Sequence, residues 1–292
     1  MTSFVPRSLV WATELDVLPL DRVIEQRDGY VVVRSPGNPT HYWGNLLLFP
    51  EPPAEGDADR WEAWFDAELG DDPRVQHRTF AWDRTDGAAG LAREEFVPRG
   101  YDLDEHVGLV AEAGALRPHP RENRDVTVRE LAAGADEELW EAVVELQVAG
   151  RDERSEEERH RAFCRARLRD RRELFRAGRG AWYVAIDPAS WEVAASCGIV
   201  VTAGRGRFQV VDTALAHRRR GIASRLLVEA ARRAAASHGA ERFVIVADPG
   251  YHALGLYESL GFDRAELALG VCRWPDRPAG AAPEEGGAGP GD

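Results

Sequence analysis

The sequence predicts an α/β (α+β) protein, a mixed sheet flanked by helices, built as two tandem modules packed together. Three observations lead there. Beyond a composition break at Gly114 to Asn123, where Pro118 and Pro120 stand among polar residues, apolar periodicity alternates between strand-like and helix-like repeats. The half before the break ends on the same order of elements as the half after it. The 292 residues, with 44 % hydrophobic and 30 % charged content, suffice for two ordinary globular domains. The expected division is a first module at 1–115, a linker at 116–123, a second module at 124–275 and a disordered tail at 276–292. That tail is Gly, Pro, Ala and acid, too poor in apolar surface to offset its ordering entropy.

The second half carries the clearer pattern. Val126 to Leu131 alternates as a strand does, and Asp136 to Val148 and Ser155 to Phe175 carry helical apolar spacing. Trp182 to Ile186, Val193 to Val201 and Phe208 to Thr213 are rich in β-branched and aromatic residues and predict strands. Gly221 to His238 is the clearest helix: Ile222, Leu226, Leu227, Ala230, Ala231 and Ala234 form one apolar stripe, and Gly239 supplies a stop. Phe243 to Ala247 reads as a strand covered on both faces, Ala253 to Leu260 as a short helix and Ala265 to Cys272 as a last strand. In the first half, Ala58 to Leu69 is a helix, Val75 to Trp82 a strand, Gly90 to Phe96 a helical turn and Tyr101 to Ala111 a strand. Aligning Gly100-Tyr101 with Gly261-Phe262 places Ala92 on Ala253 and Phe96 on Tyr257.

Composition narrows the function classes. No run approaches the roughly 18 apolar residues of a membrane-spanning helix, and the N-terminus lacks a signal-peptide pattern, so a cytoplasmic protein without a membrane partner is expected. Cys164, Cys197 and Cys272 have neither metal-ligand nor disulfide-framework spacing, so no metal is expected. A formal net charge of −13 argues against a nucleic-acid partner. The chain has no lysine; all 37 basic residues are arginine. That excludes Schiff-base and phosphate-loop lysines, while arginine remains fit to hold phosphate through paired donors. The arginine-rich stretch Arg159 to Arg176 reads as a solvated helix face, and His217 and His252 as loop histidines.

The segment Val211-Asp212-Thr213-Ala214-Leu215-Ala216-His217-Arg218-Arg219-Arg220-Gly221-Ile222-Ala223-Ser224 runs from the end of a strand through a tight turn into a helix with small residues. A helix N-terminus offers unpartnered N–H groups and positive potential, where a pyrophosphate fits. Gly221 and Ala223 keep side chains clear of such an approach, and Arg218, Arg219 and Arg220 add charge.

This segment resembles the signature of the GNAT-type N-acetyltransferases, Arg/Gln-x-x-Gly-x-Gly/Ala after the fourth strand, through Arg218, Gly221 and Ala223. A second signature, a short helix into Leu-Tyr…Leu-Gly-Phe, is matched by Leu256-Tyr257 and Leu260-Gly261-Phe262 with one strand between. The resemblance covers about Val126 to Trp274. It implies a GNAT-like fold and acetyl-CoA as co-substrate, with the amides of Arg219, Arg220, Gly221, Ile222, Ala223 and Ser224 on the pyrophosphate. It also implies Arg218 beside them, Val211, Asp212 and Thr213 along the pantetheine arm, and Tyr257 as general acid for the leaving thiolate. The alternative for Tyr257 is a ring packed beneath the last strand. Two positions depart from the family pattern: Gly250 stands where asparagine is common, and the strand to Thr213 carries Asp212 where glutamate often serves as base. In the first half the loop Pro50 to Asp57 is acidic where small residues and arginine are needed, and Phe96 lacks a hydroxyl. The first module is therefore a degenerate copy. The expected activity is transfer of an acetyl group to an amine of a small molecule or peptide; the alternative is a non-catalytic acyl-CoA sensor. Neither the acceptor nor the oligomeric state is written in the sequence.

Overall fold

The computed structural model describes residues 4–151, 156–250 and 253–275. The tail at 276–292, Ser155 at the start of a predicted helix, and His252 lie outside them. The chain forms two compact units. One takes the residues up to 108, 248–250 and the described residues after 264; the other takes 109–247 and the described residues up to 264.

In chain order the first unit opens with α1 (Leu9–Val17), β1 (Val23–Gln26), β2 (Val31–Arg34), β3 (Leu46–Phe49), α2 (Asp57–Leu69), β4 (Arg78–Trp82) and the short α3 (Ala92–Glu95). β5 (Asp102–Glu112) then leads into the second unit. Ser8 caps α1 by accepting the Trp11 N–H, and Val10, Trp11, Ala12, Thr13, Glu14, Leu15 and Val17 are all buried. A helix buried on every side has no amphipathic stripe, so periodicity does not announce it. β1, β2 and β3, four residues each, are likewise additions to the sequence reading. β1, β2 and β3 pair antiparallel in turn, and β3 pairs parallel with β4. α2 lays Ala58, Trp61, Phe65 and Leu69 onto the sheet, with Trp61 stacked on Phe49 at 3.6 Å between ring centroids.

The second unit continues with β6 (Thr127–Leu131), α4 (Glu137–Ala149), α5 (Glu157–Arg176), β7 (Gly180–Ile186), β8 (Val193–Thr202), β9 (Arg205–Thr213), α6 (Ile222–His238), β10 (Arg242–Ala247) and α7 (Leu254–Ser259). The last strand among the described residues, β11 (Asp263–Arg273), returns to the first unit, where Gly270 to Arg273 pair antiparallel with Arg78 to Ala81 of β4. β6 to β9 form an antiparallel meander, and β10 joins β9 in parallel. α4 and α5 bury Trp140, Val143, Val144, Cys164 and Leu168 against Trp182 and Val184 of β7. α6 packs on β7, β8 and β9 through its predicted stripe. Helices thus flank a mixed sheet, as the sequence predicts.

α5 corrects the reading of a solvated arginine face. Arg161 and Arg165 do pair with surface glutamates, but Arg167 and Arg171 are buried. Arg167 donates to Gln147 Oε1 at 3.1 Å, and Arg171 donates twice to Gln209 Oε1 of β9, at 3.1 and 2.9 Å. Buried guanidinium groups need such acceptors, because each unmatched donor carries a desolvation cost.

The internal repeat is visible as geometry. α2 and α6 both start from a left-handed glycine, Gly56 at φ 78° and Gly221 at φ 73°. Phe96 meets Tyr101 edge-on at 5.2 Å, as Tyr257 meets Phe262 at 6.4 Å, and each pair brackets a left-handed glycine, Gly100 or Gly261.

Candidate functional site

The site begins where two parallel strands part. β10 pairs with β9 only from Arg242–Arg205 to Val244–Arg207, so the rest of β9 has no ladder partner on that side. Its other edge still pairs with β8, through Asp212–Ser196 and Thr213–Ala195. Between these pairs and Gly198–Gln209 the register shifts, and Val210 takes φ 45°. A β-branched residue at positive φ is strained, and bulges of this kind re-aim the backbone that follows. The residues re-aimed are Val211, Asp212 and Thr213, whose free edge faces the opening.

After β9 the chain turns through Leu215 to His217. Arg218 is extended, Arg219 takes φ 59°, Gly221 takes φ 73°, and α6 begins at Ile222. Among the described residues, the backbone N–H groups of Arg219, Arg220, Gly221, Ile222, Ala223 and Ser224 donate to no carbonyl or side chain; the next one, Arg225, reaches Gly221 O. Six successive free amides lead into a 17-residue helix, with the positive end of the helix dipole behind them. Arg218, Arg219 and Arg220 are all exposed beside it. Arg218 Nε donates to Thr213 O at 3.2 Å, closing the loop onto the strand end.

Asp187, in the hairpin between β7 and β8, anchors this loop and has no sequence signal. Its buried carboxylate lies 3.3 Å from His217 Nδ1 and 3.4 Å from Arg220 Nη1. The Ala189 N–H, donating at 2.8 Å, and the nearby Arg220 and His217 hold this carboxyl below the usual aspartate range. Asp212 goes the other way: it is half-buried, and burial raises its pKa against the pull of Arg167 and Arg218.

Gly221 also meets a packing demand within the chain. A Cβ there would stand 2.0 Å from Arg121 O and 3.0 Å from Asn123 N, so the missing side chain makes room for the segment before β6. Asn123 N–H donates to Gly221 O at 3.0 Å, while its side chain accepts from Asp125 and Val126. The same segment touches the second motif, with Arg117 N–H donating to Leu260 O at 3.0 Å. Residues 117–123 are thus a strap seated on both motifs. Asn123 two residues before Asp125 is the one hint of its turn in the sequence.

Tyr257 lies on α7 with its ring 3 % exposed and edge-on to Phe262. The corresponding Phe96 of the first unit is fully buried. There the helix start is already occupied: Glu95 accepts the Gly56 N–H at 3.2 Å, and Asp57 accepts the Ala54 N–H at 2.8 Å.

A cavity of about 640 Å³ opens between α4, the β7–β8 hairpin and residues Asp212 to Arg218. Asp212, Thr213 and Arg218 of the predicted site line it. Among the described residues no cluster of His, Cys, Asp and Glu suited to a metal ion is present, and no helix is long and apolar enough to cross a membrane.

Residues 140–262 match the model of the acetyltransferase (GNAT) family. No curated protein sequence is matched. Among solved structures, the chain is similar to a GCN5-related N-acetyltransferase from Kribbella flavida, at 15 % identity, with a TM-score of 0.60 over 90 % of this chain and 94 % of that one. It is similar too to a tandem GNAT protein from the clavulanic acid biosynthesis pathway, at 14 % identity and a TM-score of 0.56 over 94 % and 91 %. A conserved protein of unknown function from Staphylococcus epidermidis gives 13 % identity and a TM-score of 0.65 over 87 % and 94 %. At these identities the likeness is one of fold.

Proposed function

We propose, from the match of residues 140–262 to the model of the acetyltransferase (GNAT) family, that this protein moves an acetyl group from acetyl-CoA to an amine of a small molecule or peptide. The observation that carries this reading is the row of six free amides from Arg219 to Ser224, beside the parted edge of β9. Those amides, unused within the chain, can donate to the oxygens of a pyrophosphate at the positive end of the helix dipole. Arg218 and Arg219 supply charge, and Asp187 keeps Arg220 and His217 in place behind them. Val211, Asp212 and Thr213 offer free backbone groups to the amide-bearing arm of the co-substrate, in the manner of a strand added to an edge.

Acetyl-CoA, when bound, supplies a thioester whose C–S bond breaks as the C–N bond to the acceptor forms. The leaving thiolate takes a proton, and Tyr257 is the residue assigned to give it from its phenol. The acceptor nitrogen attacks as the neutral amine, and the proton it gives up after the bond forms passes to solvent, from which the Tyr257 phenol is restored. In this reading the first unit binds no co-substrate, because Glu95 holds the Gly56 amide that a phosphate would need.

Calorimetric titration with acetyl-CoA, followed by thiol release across a panel of amines, tests the proposal. One site per chain and amine-dependent thiol release are expected. Two sites would refute the silent first unit; absence of binding would refute the whole reading. Binding without acetylation of any amine would leave an acyl-CoA sensor.

A further inference from the structure

Three side chains beside the loop from Arg218 to Ser224 meet at one point. His217 Nδ1 lies 2.9 Å from Arg220 Nη1 and 3.3 Å from Asp187 Oδ2, and the same Arg220 Nη1 lies 3.4 Å from the same Asp187 oxygen. A guanidinium has donors and no acceptor, so the 2.9 Å approach requires a lone pair on Nδ1. The arrangement is therefore that of the neutral imidazole, with its proton on Nε2. Asp187 Oδ2 faces the same lone pair, acceptor against acceptor, and Arg220 relieves that contact by standing close to both.

One proton on Nδ1 reverses both contacts. The Nδ1–H then donates to Asp187 Oδ2, and the Arg220 approach becomes donor against donor and cation against cation. Burial decides which group yields. The side chains of Asp187 and His217 are 7 % and 11 % exposed, whereas that of Arg220 is 49 % exposed. Asp187 is also held through its backbone: its N–H donates to Glu192 O at 3.0 Å, and the N–H of Trp191, which takes φ 61°, donates to Asp187 O at 2.8 Å. Arg220 is thus the group free to move, and its own backbone N–H belongs to the row of six unused amides.

Other charged groups face this cluster. Arg218 and Arg219 adjoin it in the loop. Glu192 of the hairpin, Glu138 and Glu145 of α4, and Asp212 of β9 line the cavity that His217 and Arg218 also line. Glu145 is engaged by Arg161 at 2.7 Å. Asp187 stays a carboxylate throughout the histidine range, because the Ala189 N–H and the neighbouring Arg220 and His217 hold its pKa below the usual aspartate value. Asp212 has its pKa raised by burial, so it is a second source of pH dependence, and one that a change at His217 leaves in place.

We infer that His217 is a positioning residue of the co-substrate site: its protonation transfers Asp187 from Arg220 to the imidazolium and frees the Arg220 guanidinium for the pyrophosphate. This rests on the acetyltransferase reading above and deepens it by tying co-substrate affinity to one proton. The cluster gains a positive charge and an unengaged guanidinium beside the free amides in the same step, and both favour an anion. Acetyl-CoA therefore binds more tightly at acid pH, and by linkage its binding takes up a proton.

Calorimetric titration with acetyl-CoA at about pH 5.5 and about pH 8, either side of the histidine range, tests this. His217→Asn keeps a polar atom near the Nδ1 position and does not titrate. The ratio of the affinities at the two pH values should be roughly fivefold larger in the wild type than in His217→Asn, the scale of one added charge near a screened pyrophosphate. The comparison cancels the contributions of Asp212 and of the co-substrate's own phosphates. Arg220→Gln should cut that excess to roughly twofold, since the added charge remains and the moving guanidinium is gone. Titrations in two buffers of different ionisation enthalpy should show more proton uptake in the wild type than in His217→Asn. Equal ratios in the wild type and His217→Asn, or tighter binding at the higher pH, would overturn the inference and leave the acetyltransferase standing. A protein that binds no acetyl-CoA at either pH would refute the earlier reading instead. The free protein then decides the role of His217 by NMR. The Arg220 Nε–H resonance, identified by its loss in Arg220→Gln, should move across the histidine range in the wild type and stay put in His217→Asn. A resonance indifferent to His217 would overturn the inference.

Discussion

Two glycines in the second unit separate backbone strain from steric blockage. Gly239 ends α6 at φ 68° and has open space where a Cβ would go; Gly221 begins α6 at φ 73° with Arg121 O only 2.0 Å from that position. Substitution by alanine at either site incurs the left-handed penalty, about 1 kcal/mol. At Gly221 the strap must also move away by more than an ångström, which breaks the 3.0 Å bond from Asn123 N–H to Gly221 O. Losing that bond costs about 1 kcal/mol, and the overpacking adds roughly 1–3 kcal/mol. The total is roughly 3–5 kcal/mol against about 1 kcal/mol for the control. For a unit of this size, 1 kcal/mol displaces Tm by about 2–4 °C. Thermal unfolding of the full chain should therefore show Gly239→Ala lowered by a few degrees and Gly221→Ala by at least twice as much in the same transition. Acetyl-CoA affinity should fall in Gly221→Ala alone, since the displaced strap leaves the helix start unfixed. Equal shifts in the two variants would refute the strap's seat on Gly221.

Two further outcomes follow from single side chains. Tyr257→Phe keeps a ring that is 3 % exposed, so acetyl-CoA affinity should stay within a few-fold while turnover drops by roughly 10²-fold; unchanged turnover would take the phenol out of the chemistry. His77 is buried, donates from Nε2 to Asn45 O at 3.1 Å, and has its pKa pushed down to about 4 by burial. The folded state therefore binds its proton more weakly than the unfolded chain, and stability is lost as pH falls from the ordinary histidine range through about 4. The loss should reach on the order of 3 kcal/mol, the free-energy equivalent of about 2.5 pH units. Denaturant midpoints across that range should slope downward toward acid in the wild type and more gently in His77→Phe. A parallel slope would assign the acid sensitivity elsewhere.

The sequence is legible where a residue pattern maps onto one local geometry. Gly221 to His238 shows its helix because one stripe is apolar and the rest polar, and the structure begins it at Ile222 and ends it at His238. α1 does not show, because seven of its nine residues are buried and the polar face that would mark a period is missing. Pairing partners are less legible still. Ala265 to Cys272 reads as a strand from its composition, but the strand it joins, β4, lies near the other end of the chain. Nothing in a two-residue repeat names a partner. The loop from Arg218 to Ser224 is readable as a motif, whereas Asp187, Trp191 and the strap at 117–123 are not. They act on the loop from distant sequence positions, through one carboxylate, one strained backbone and a few main-chain bonds.

The two helix starts show how little backbone difference separates a row of free amides from a filled one. Gly56 and Gly221 hold nearly the same left-handed geometry ahead of α2 and α6. At Gly221 the following residues are Ile, Ala and Ser, no carboxylate lies in the first turn, and six amides stay free. At Gly56 the first turn brings Asp57 and Asp59, and Glu95 reaches across from α3 to take the glycine N–H. A carboxylate on that amide stands where the oxygen of a phosphate would, so the chain itself satisfies that donor and faces the positive end of the helix dipole with negative charge. Bringing a pyrophosphate there would mean displacing Glu95 and setting phosphate charge against Asp57 and Asp59, two repulsions for one amide regained. The geometry can repeat while the free amides do not, because the geometry rests on buried rings such as Phe96 and Tyr257, and the amides on which atoms meet them.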